Sequence, residues 1–180
     1  MRIRLVVGLT AVLVLLSGIY AAIRAAQIEP TPEERPVVWS VEFLELARVS
    51  IGLPRRDLAE SWFKGDDKQW YFEPHDVQVD RSRWGGGVPL ILSSPQANRA
   101  LVTSATDDQL ADYGLTDPSM VITLSTDSGV QIDIELGDQT PVGNAYYIRR
   151  ADSRDVYTID HSWYDVLERL VIDPPYPGIE

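Results

Sequence analysis

The longest hydrophobic pattern in the chain is an uncharged run at residues 5–23, LVVGLTAVLVLLSGIYAAI. Nineteen residues at about 1.5 Å of helical rise each reach roughly 28 Å, close to a hydrocarbon core of about 30 Å. The run is apolar on every side, which disfavours a helix buried in a soluble core that must also contact water. Residues 1–27 are therefore predicted to form a transmembrane anchor, with residues 5–23 in contact with the lipid bilayer.

Basic residues flank this run on both sides, Arg2 and Arg4 before it and Arg24 after it. Three glutamates between residues 29 and 34 offset the positive charge on the far side. The positive-inside rule then predicts a cytoplasmic N-terminus and a periplasmic or extracellular C-terminal part. A cleaved signal peptide is the alternative, although Arg24 lies where a cleavage site requires a small neutral residue.

The segment that follows, IEPTPEERP at residues 28–36, has three prolines in nine positions. Proline-rich segments are extended and semi-rigid, at about 3 Å per residue. The segment is predicted to be a linker that separates the anchor from a domain over residues 37–180.

Apolar and polar residues alternate most strictly in the C-terminal half of the domain. MVITLSTDSGVQIDIELGD predicts one β-hairpin around TDSG, and AYYIRRADSRDVYTID predicts a second around ADSRD. A period of two indicates one buried and one hydrated face. The residues expected on the buried face of the first hairpin's second strand are Val130, Ile132, Ile134 and Leu136.

Two helical patterns accompany these hairpins. Thr106 and Gln109 have capping-box spacing at the start of TDDQLADYGL. HSWYDVLERLVI is predicted to be a terminal helix, with Asp160 or Ser162 as its N-cap. Its apolar stripe is expected to contain Trp163, Val166, Leu167, Leu170 and Val171.

The N-terminal half of the domain has shorter patterns. VVWSVEF, LARVSIGL, KQWYFE and RALVTSA have the composition of strands, and VPLILSS suits a helix with Pro89 in its first turn. The domain is predicted to be α+β, with two strand-rich halves around a middle helix. Its antiparallel hairpins are expected to carry a few helices packed on one face.

The stretch ADYGLTDPSMV raises the question of a binding loop or a structural corner. Gly114 follows the expected end of the helix begun at Thr106, where a left-handed conformation is needed. Leu115 is then placed to fold back on Leu110, and Pro118 keeps the preceding Asp117 extended. The stretch is predicted to be a corner between a helix and a strand.

Several motifs resemble the bacterial domain-of-unknown-function family 4340. They are Tyr113-Gly114-Leu115-Thr116-Asp117-Pro118, Leu136-Gly137-Asp138, Tyr147-Ile148-Arg149 and Val156-Tyr157, with Trp70 as an upstream marker. The resemblance covers about residues 68–172. It implies an N-terminally anchored domain outside the cytoplasm, associated in some members with export or gliding-type transport components. It implies no catalytic residues.

Composition narrows the function classes. The chain has no cysteine, which excludes thiol catalysis, disulfides and cysteine zinc sites. The net charge is −11, and the residues after Arg24 carry −14 because the first 24 hold three arginines and no acid. Such a domain repels nucleic acid and anionic lipid, so any charged partner is expected to be basic. Solubility alone is the simpler interpretation of the charge.

Candidate catalytic and ligand-binding residues are few, and the sequence suggests no cofactor, metal or small-molecule ligand. His75 and His161 have acidic neighbours, but residues adjacent in one segment seldom converge as a triad. The WGGG stretch at residues 84–87 has no P-loop lysine. The acidic pairs Asp66-Asp67, Asp107-Asp108 and Asp152 with Asp155 are not spaced as a calcium loop.

Aromatic residues are the more suggestive feature. The first half of the domain contains Trp39, Trp62, Phe63, Trp70, Tyr71, Phe72 and Trp84. An alternating strand would place Trp70 and Phe72 on one side and Tyr71 on the other. Trp70, Tyr71 and Trp84 are candidates for contact with a partner protein. A core corner and stacking on a carbohydrate are the alternatives.

These patterns predict a non-catalytic accessory or assembly subunit of a membrane protein complex that docks a partner outside the cytoplasm. A ligand- or glycan-binding module is the first alternative. An exported hydrolase is the second, and it would require His75 or His161 close to a serine or carboxylate.

Overall fold

The computed structural model describes Ser17 and residues 35–73, 75–84 and 87–178. The predicted anchor at residues 1–27 and residues 28–34 of the predicted linker otherwise lie outside the described residues. No helix in the described part of the chain has both the length and the apolar character needed to cross a membrane. Residues 35–180 form one compact unit.

The described residues contain eight strands, which form one antiparallel sheet in the order β3-β2-β1-β5-β6-β7-β8-β4. The strands are β1 (Leu46–Leu53), β2 (Leu58–Lys64), β3 (Trp70–Phe72), β4 (Arg99–Val102), β5 (Met120–Thr126), β6 (Gln131–Gln139), β7 (Ala145–Arg150) and β8 (Val156–Asp160). The α+β class is confirmed. The strands before and after the middle helices belong to one sheet, because β1 pairs with β5.

In the range 35–178, four short to medium helices are described, and they pack on this sheet: α1 (Arg81–Trp84), α2 (Gly87–Ser93), α3 (Asp107–Asp112) and α4 (His161–Ile172). A 3₁₀ turn, Pro54–Arg56, connects β1 to β2. The main core lies where α1, α2 and α4 pack with apolar side chains from one face of the sheet. Its fully buried members include Leu46, Ile51, Trp62, Phe72, Leu92, Ile122, Ile134, Leu136, Ile148 and Leu167.

The sequence predicted that all helices pack on one face of the sheet, and this is wrong for α3. A second core explains the difference. Leu110 and Leu115, from α3 and the corner after it, pack with Val156 and Tyr147. Along strands β7 and β8, Tyr147 and Val156 alternate with Ile148 and Tyr157, which pack in the main core. This end of the sheet is therefore apolar on both faces and needs cover on both.

The hairpins β5–β6 and β7–β8 confirm the alternation read from the sequence. Ile134 and Leu136 are fully buried, and on the opposite face Thr123 donates a 2.7 Å hydrogen bond to Asp133. Val130 is the exception: it lies in the turn before β6 and is exposed.

The expected strand VVWSVEF is not a strand. Its backbone bonds go to the end of α2 and the loop after it: Val41 N–H donates to the Ser93 carbonyl at 2.7 Å and Val38 N–H to the Pro95 carbonyl at 3.2 Å. The Trp39 indole also donates to the Leu92 carbonyl at 2.8 Å. The segment is apolar because it packs on α2.

Helix α4 begins as expected, but its apolar stripe is shifted. Asp160 is the N-cap and accepts from the Ser162 N–H at 2.8 Å. Leu167, Leu170 and Val171 are buried, whereas Val166 is exposed and Tyr164 is buried instead. Tyr164 lies three and seven residues before Leu167 and Val171, so it continues their face of the helix.

Candidate functional site

A groove of about 650 Å³ opens beside the β2–β3 hairpin and helix α1. Its apolar lining consists of Phe43, Leu44, Trp70, Val79, Trp84 and Pro89. Its polar lining consists of Lys64, Lys68, Gln69, Gln78 and Arg81. The volume and the mostly apolar wall with a few polar groups are typical of binding sites in proteins. We call it the aromatic groove.

Two of the three aromatic residues predicted for partner contact meet at this groove. The rings of Trp70 and Trp84 lie 5.3 Å apart between centroids, and Trp62 lies 5.0 Å from Trp84 behind them. Trp70 is 9% exposed and Trp84 is 4% exposed, so both are core residues with little accessible surface. Among the described residues, the buried Trp84 indole N–H has no hydrogen-bond partner.

Tyr71, the third candidate, lies on the other face of β3, as strand alternation predicted. It stacks on Phe63 of β2 at 5.7 Å between ring centroids. Its hydroxyl donates to Asp67 at 2.7 Å, a bond that raises the pKa of Tyr71 and lowers the pKa of Asp67. The structure therefore separates Tyr71 from the two tryptophans.

The turn between β2 and β3 positions the basic side of the groove. Gly65 N–H donates to the Gln69 carbonyl at 2.8 Å, and Lys68 N–H donates to the Gly65 carbonyl at 2.9 Å. Asp67 accepts from the Gln69 N–H at 3.0 Å, which also lowers its pKa. The Asp66-Asp67 pair considered for metal binding thus contributes a turn-forming residue. Lys68 has a left-handed backbone, with φ of 63°.

Lys64 ties the groove's rim to the hairpin. It pairs with Trp70 across β2 and β3, and its side chain is 9% exposed. Its Nζ donates to the Leu44 carbonyl at 2.5 Å and lies 3.8 Å from an Asp127 carboxylate oxygen. This contact anchors the segment that carries Phe43 and Leu44. Leu44 is 69% exposed and extends the apolar lining onto the surface.

The corner after α3 has the geometry predicted for it. Thr106 and Gln109 form the full capping box. Gly114 is left-handed, with φ of 69°, and Leu115 N–H donates to the Leu110 carbonyl at 2.9 Å. Both leucines are buried in the second core. The corner is structural, and these contacts define its role.

The corner is locked to the Leu136-Gly137-Asp138 stretch of β6. Asp138 N–H donates to the Tyr113 carbonyl at 2.8 Å. A Cβ on Gly137 would lie 2.0 Å from that same oxygen, which no side chain could tolerate without moving the backbone. The two sequence motifs are therefore halves of one contact.

Arg55, in the 3₁₀ turn between β1 and β2, completes this corner unit. It donates to the Asp117 carbonyl at 2.9 Å and to Asp138 Oδ1 at 2.7 Å. It also donates to the Gly114 carbonyl at 3.3 Å. Sequence reasoning missed Arg55, because no local pattern relates it to residues 59 to 83 positions away.

A family model described as Domain of unknown function (DUF4340) matches residues 72–170, more than half of the chain. The chain belongs to the DUF4340 family. The match contains the whole of the Tyr113 to Pro118 corner and its Leu136-Gly137-Asp138 partner, and it confirms the resemblance read from those motifs. No curated protein and no solved structure matches the chain.

The DUF4340 match begins at Phe72, after β1, β2 and the hairpin turn. It therefore includes Gln78, Val79, Arg81, Trp84 and Pro89 of the aromatic groove. The rest of the lining, including Lys64, Lys68 and Trp70, lies outside the match. The groove is therefore lined partly by residues inside the family match and partly by residues that precede it.

The two histidines of this DUF4340 chain do not assemble a triad in the described residues. His161 Nδ1 lies 2.9 Å from Asp165 on the surface of α4. The neighbouring Ser162 hydroxyl donates instead to Asp160 at 2.6 Å, as part of the helix cap. His75 is exposed in the turn after β3 and lies near Glu60, whose pKa is raised by partial burial and lowered less by His75.

The remaining acidic pairs make structural contacts. Asp107 pairs with Arg154 at 2.5 Å, Asp152 pairs with Arg150, and Asp155 accepts from the Ser104 N–H at 3.0 Å. Within the ranges that the structure describes, no three histidine, aspartate or glutamate side chains are grouped as a metal site. The glycines at positions 85 and 86 of the WGGG stretch lie outside those ranges.

Proposed function

We propose that this chain is a non-catalytic, single-pass membrane protein and an accessory subunit of a membrane protein complex. The uncharged run at residues 5–23 and the proline-rich segment after it support an anchor and a spacer. The domain over residues 37–180 would lie outside the cytoplasm. The family resemblance favours a transport-associated complex. The aromatic groove is the observation that carries the docking role.

The groove has the character of a protein-binding surface. Phe43 and Leu44 leave apolar surface exposed at its margin, next to a floor of tightly packed tryptophans. Contiguous exposed apolar surface marks interaction sites on soluble domains. Rigid aromatic residues are common anchors of such interfaces, since they lose little conformational entropy on binding. A partner side chain placed here would cover Leu44 and contact the accessible part of Trp70.

The glycan-binding alternative has less support from this geometry. Stacking on a sugar requires an open aromatic face, and at 9% exposure of Trp70 and 4% of Trp84 little of either ring is accessible. A protein side chain can instead contact the exposed surface of Phe43 and Leu44. The docking proposal is therefore preferred.

Photo-cross-linking in native membranes tests the docking surface. A benzoylphenylalanine residue replaces Leu44 in the full-length chain, and a matched variant carries it at Val142, which is 83% exposed in the loop between β6 and β7. We expect a discrete protein adduct from position 44 that position 142 does not give. No adduct at position 44, or the same adduct at both positions, would contradict docking at the groove.

A further inference from the structure

The aromatic groove has the opposite charge to the rest of the chain. The chain has only two lysines, Lys64 and Lys68, and both line the groove. Arg81 is a third cation in the lining, whereas no acidic residue of the described ranges lines it. The residues after Arg24 carry a net charge of −14, so this concentration of cations makes the groove a local exception.

Of the three cations in the groove, Lys64 already donates to the Leu44 carbonyl. Neither Lys68 nor Arg81 forms an ion pair with a carboxylate in the described part of the chain. Lysine and arginine side chains donate hydrogen bonds and cannot accept them. A bound group that accepts hydrogen bonds would therefore suit Lys68 and Arg81.

We propose that the groove recognises a protein segment in which a carboxylate lies close to a large apolar side chain. This inference rests on the proposed docking function and specifies the partner's chemistry. The apolar side chain would pack between Phe43, Trp70 and Pro89, and the carboxylate would accept from Lys68 and Arg81. The apolar surface continues onto Leu44, which is exposed to solvent. A free fatty acid or detergent would need an enclosed cavity for its apolar tail, so this open surface favours a protein segment.

This partner chemistry differs from the basic partner that net charge predicts. Net charge governs attraction at long range, and salt screens that attraction over about 8 Å at physiological ionic strength. At contact, the nearest groups decide the interaction, and those in the groove are cationic. The aromatic groove would thus bind a carboxylate of the partner, and the acidic remainder of the domain would attract basic groups of the partner.

The two lysines allow a direct chemical test. A carbodiimide joins a carboxylate to an amine by an amide bond, and the water lost converts the carbodiimide to a urea. In the full-length chain the amines are Lys64, Lys68 and the N-terminus. In native membranes we expect the photo-cross-linked partner to become joined to Lys64 or Lys68 through an Asp or Glu. That residue should have a large apolar neighbour within three positions.

Two sets of variants separate reaction from recognition. Lys64→Arg with Lys68→Arg keeps both charges, so the amide cross-link should vanish while the partner still co-purifies.

A labelled synthetic peptide of the cross-linked partner segment should then bind the full-length chain in detergent. We expect Lys68→Gln with Arg81→Gln to weaken binding about tenfold, the scale of one hydrogen bond to a charged group. Changing the peptide's carboxylate to the amide should have a similar effect, and Arg99→Gln, at an exposed arginine of β4, should change affinity less than twofold.

The outcomes distinguish this inference from the docking proposal. If position 44 still gives its protein adduct but neither lysine is joined to the partner and the charge variants bind normally, recognition of a carboxylate is wrong and docking stands. Lysine adducts only with Asp127 of the same chain, or with a fatty acid or lipid, would also overturn it. If position 44 gives no specific adduct, docking itself fails.

Discussion

At the scale of single residues, Gly137 is the most constrained position in the corner unit. A Cβ there would lie 2.0 Å from the Tyr113 carbonyl oxygen, which is backbone and cannot rotate away. We expect Gly137→Ala to lower the free energy of unfolding by about 3 kcal/mol, the upper range for overpacking. Gly87→Ala is the matched control, because no heavy atom lies within 4 Å of its added methyl group. Both full-length variants are unfolded in urea. Equal midpoints for the two would contradict the close contact between Gly137 and the Tyr113 carbonyl oxygen.

Gly114 is constrained by conformation as well as by space. Its φ of 69° is left-handed, and an added Cβ would lie 2.4 Å from Asp138 Cγ, a side-chain atom that can move. A left-handed alanine costs roughly 1–2 kcal/mol. We therefore expect Gly114→Ala to destabilise the domain by at least 1 kcal/mol, less than Gly137→Ala. An unchanged melting temperature would argue against the left-handed cap.

At the scale of secondary-structure elements, the Asp160 cap of α4 makes stability depend on pH. Hydrogen bonds from the Ser162 hydroxyl and then from the Ser162 backbone N–H lower the pKa of Asp160 in the folded state. A lowered pKa adds stability above the unfolded pKa of about 3.9, and this stability is lost as pH falls through the folded value.

Asp160→Ala should therefore cost about 1 kcal/mol at pH 7, the usual value of an N-cap, and clearly less near pH 3. Asp112→Ala, at the exposed end of α3, is the control and should show little effect at either pH. The measurement is urea unfolding of both variants at the two pH values. A cost of Asp160→Ala that stays constant or grows toward pH 3 would refute the assignment.

Elements governed by neighbours in the chain were predictable from the sequence. The capping box at Thr106, the two C-terminal hairpins and the alternation of Trp70, Tyr71 and Phe72 all depend on short-range spacing. Strand β2 was missed because its exposed first half does not alternate, and its order comes from pairing with β1. VVWSVEF was mistaken for a strand because its apolar residues pack on α2 rather than in the sheet.

The candidate site was only partly predictable, for the same reason. Trp70 and Trp84 were identified as aromatic candidates, but their burial and their separation from Tyr71 depend on the fold. The groove also needs Phe43, Lys64 and Pro89, which come from three separate segments. The scarcity of lysine was visible in the sequence, and it gained meaning only when both lysines proved to share one surface.

At the scale of the whole molecule, labelling of Lys64 and Lys68 can show on which side of the membrane the domain lies. If the domain lies outside the cytoplasm, a membrane-impermeant amine reagent should label exposed Lys68 in intact spheroplasts. The Lys68→Arg variant should lose this label, and Lys64, at 9% side-chain exposure, should react more slowly. Labelling of Lys68 that appears only after permeabilisation would place the domain in the cytoplasm.

The central claim is that the aromatic groove holds a partner in a membrane complex. The most direct measurement is the composition and size of the particle that contains the full-length chain after mild detergent extraction, with Leu44→Asp and Val142→Asp compared. Both substitutions add one negative charge at an exposed apolar residue. The wild type and Val142→Asp should elute with the same partner, and Leu44→Asp should elute alone with an unchanged melting temperature. A wild-type chain that elutes alone, or a Leu44→Asp variant that keeps its partner, would contradict the account.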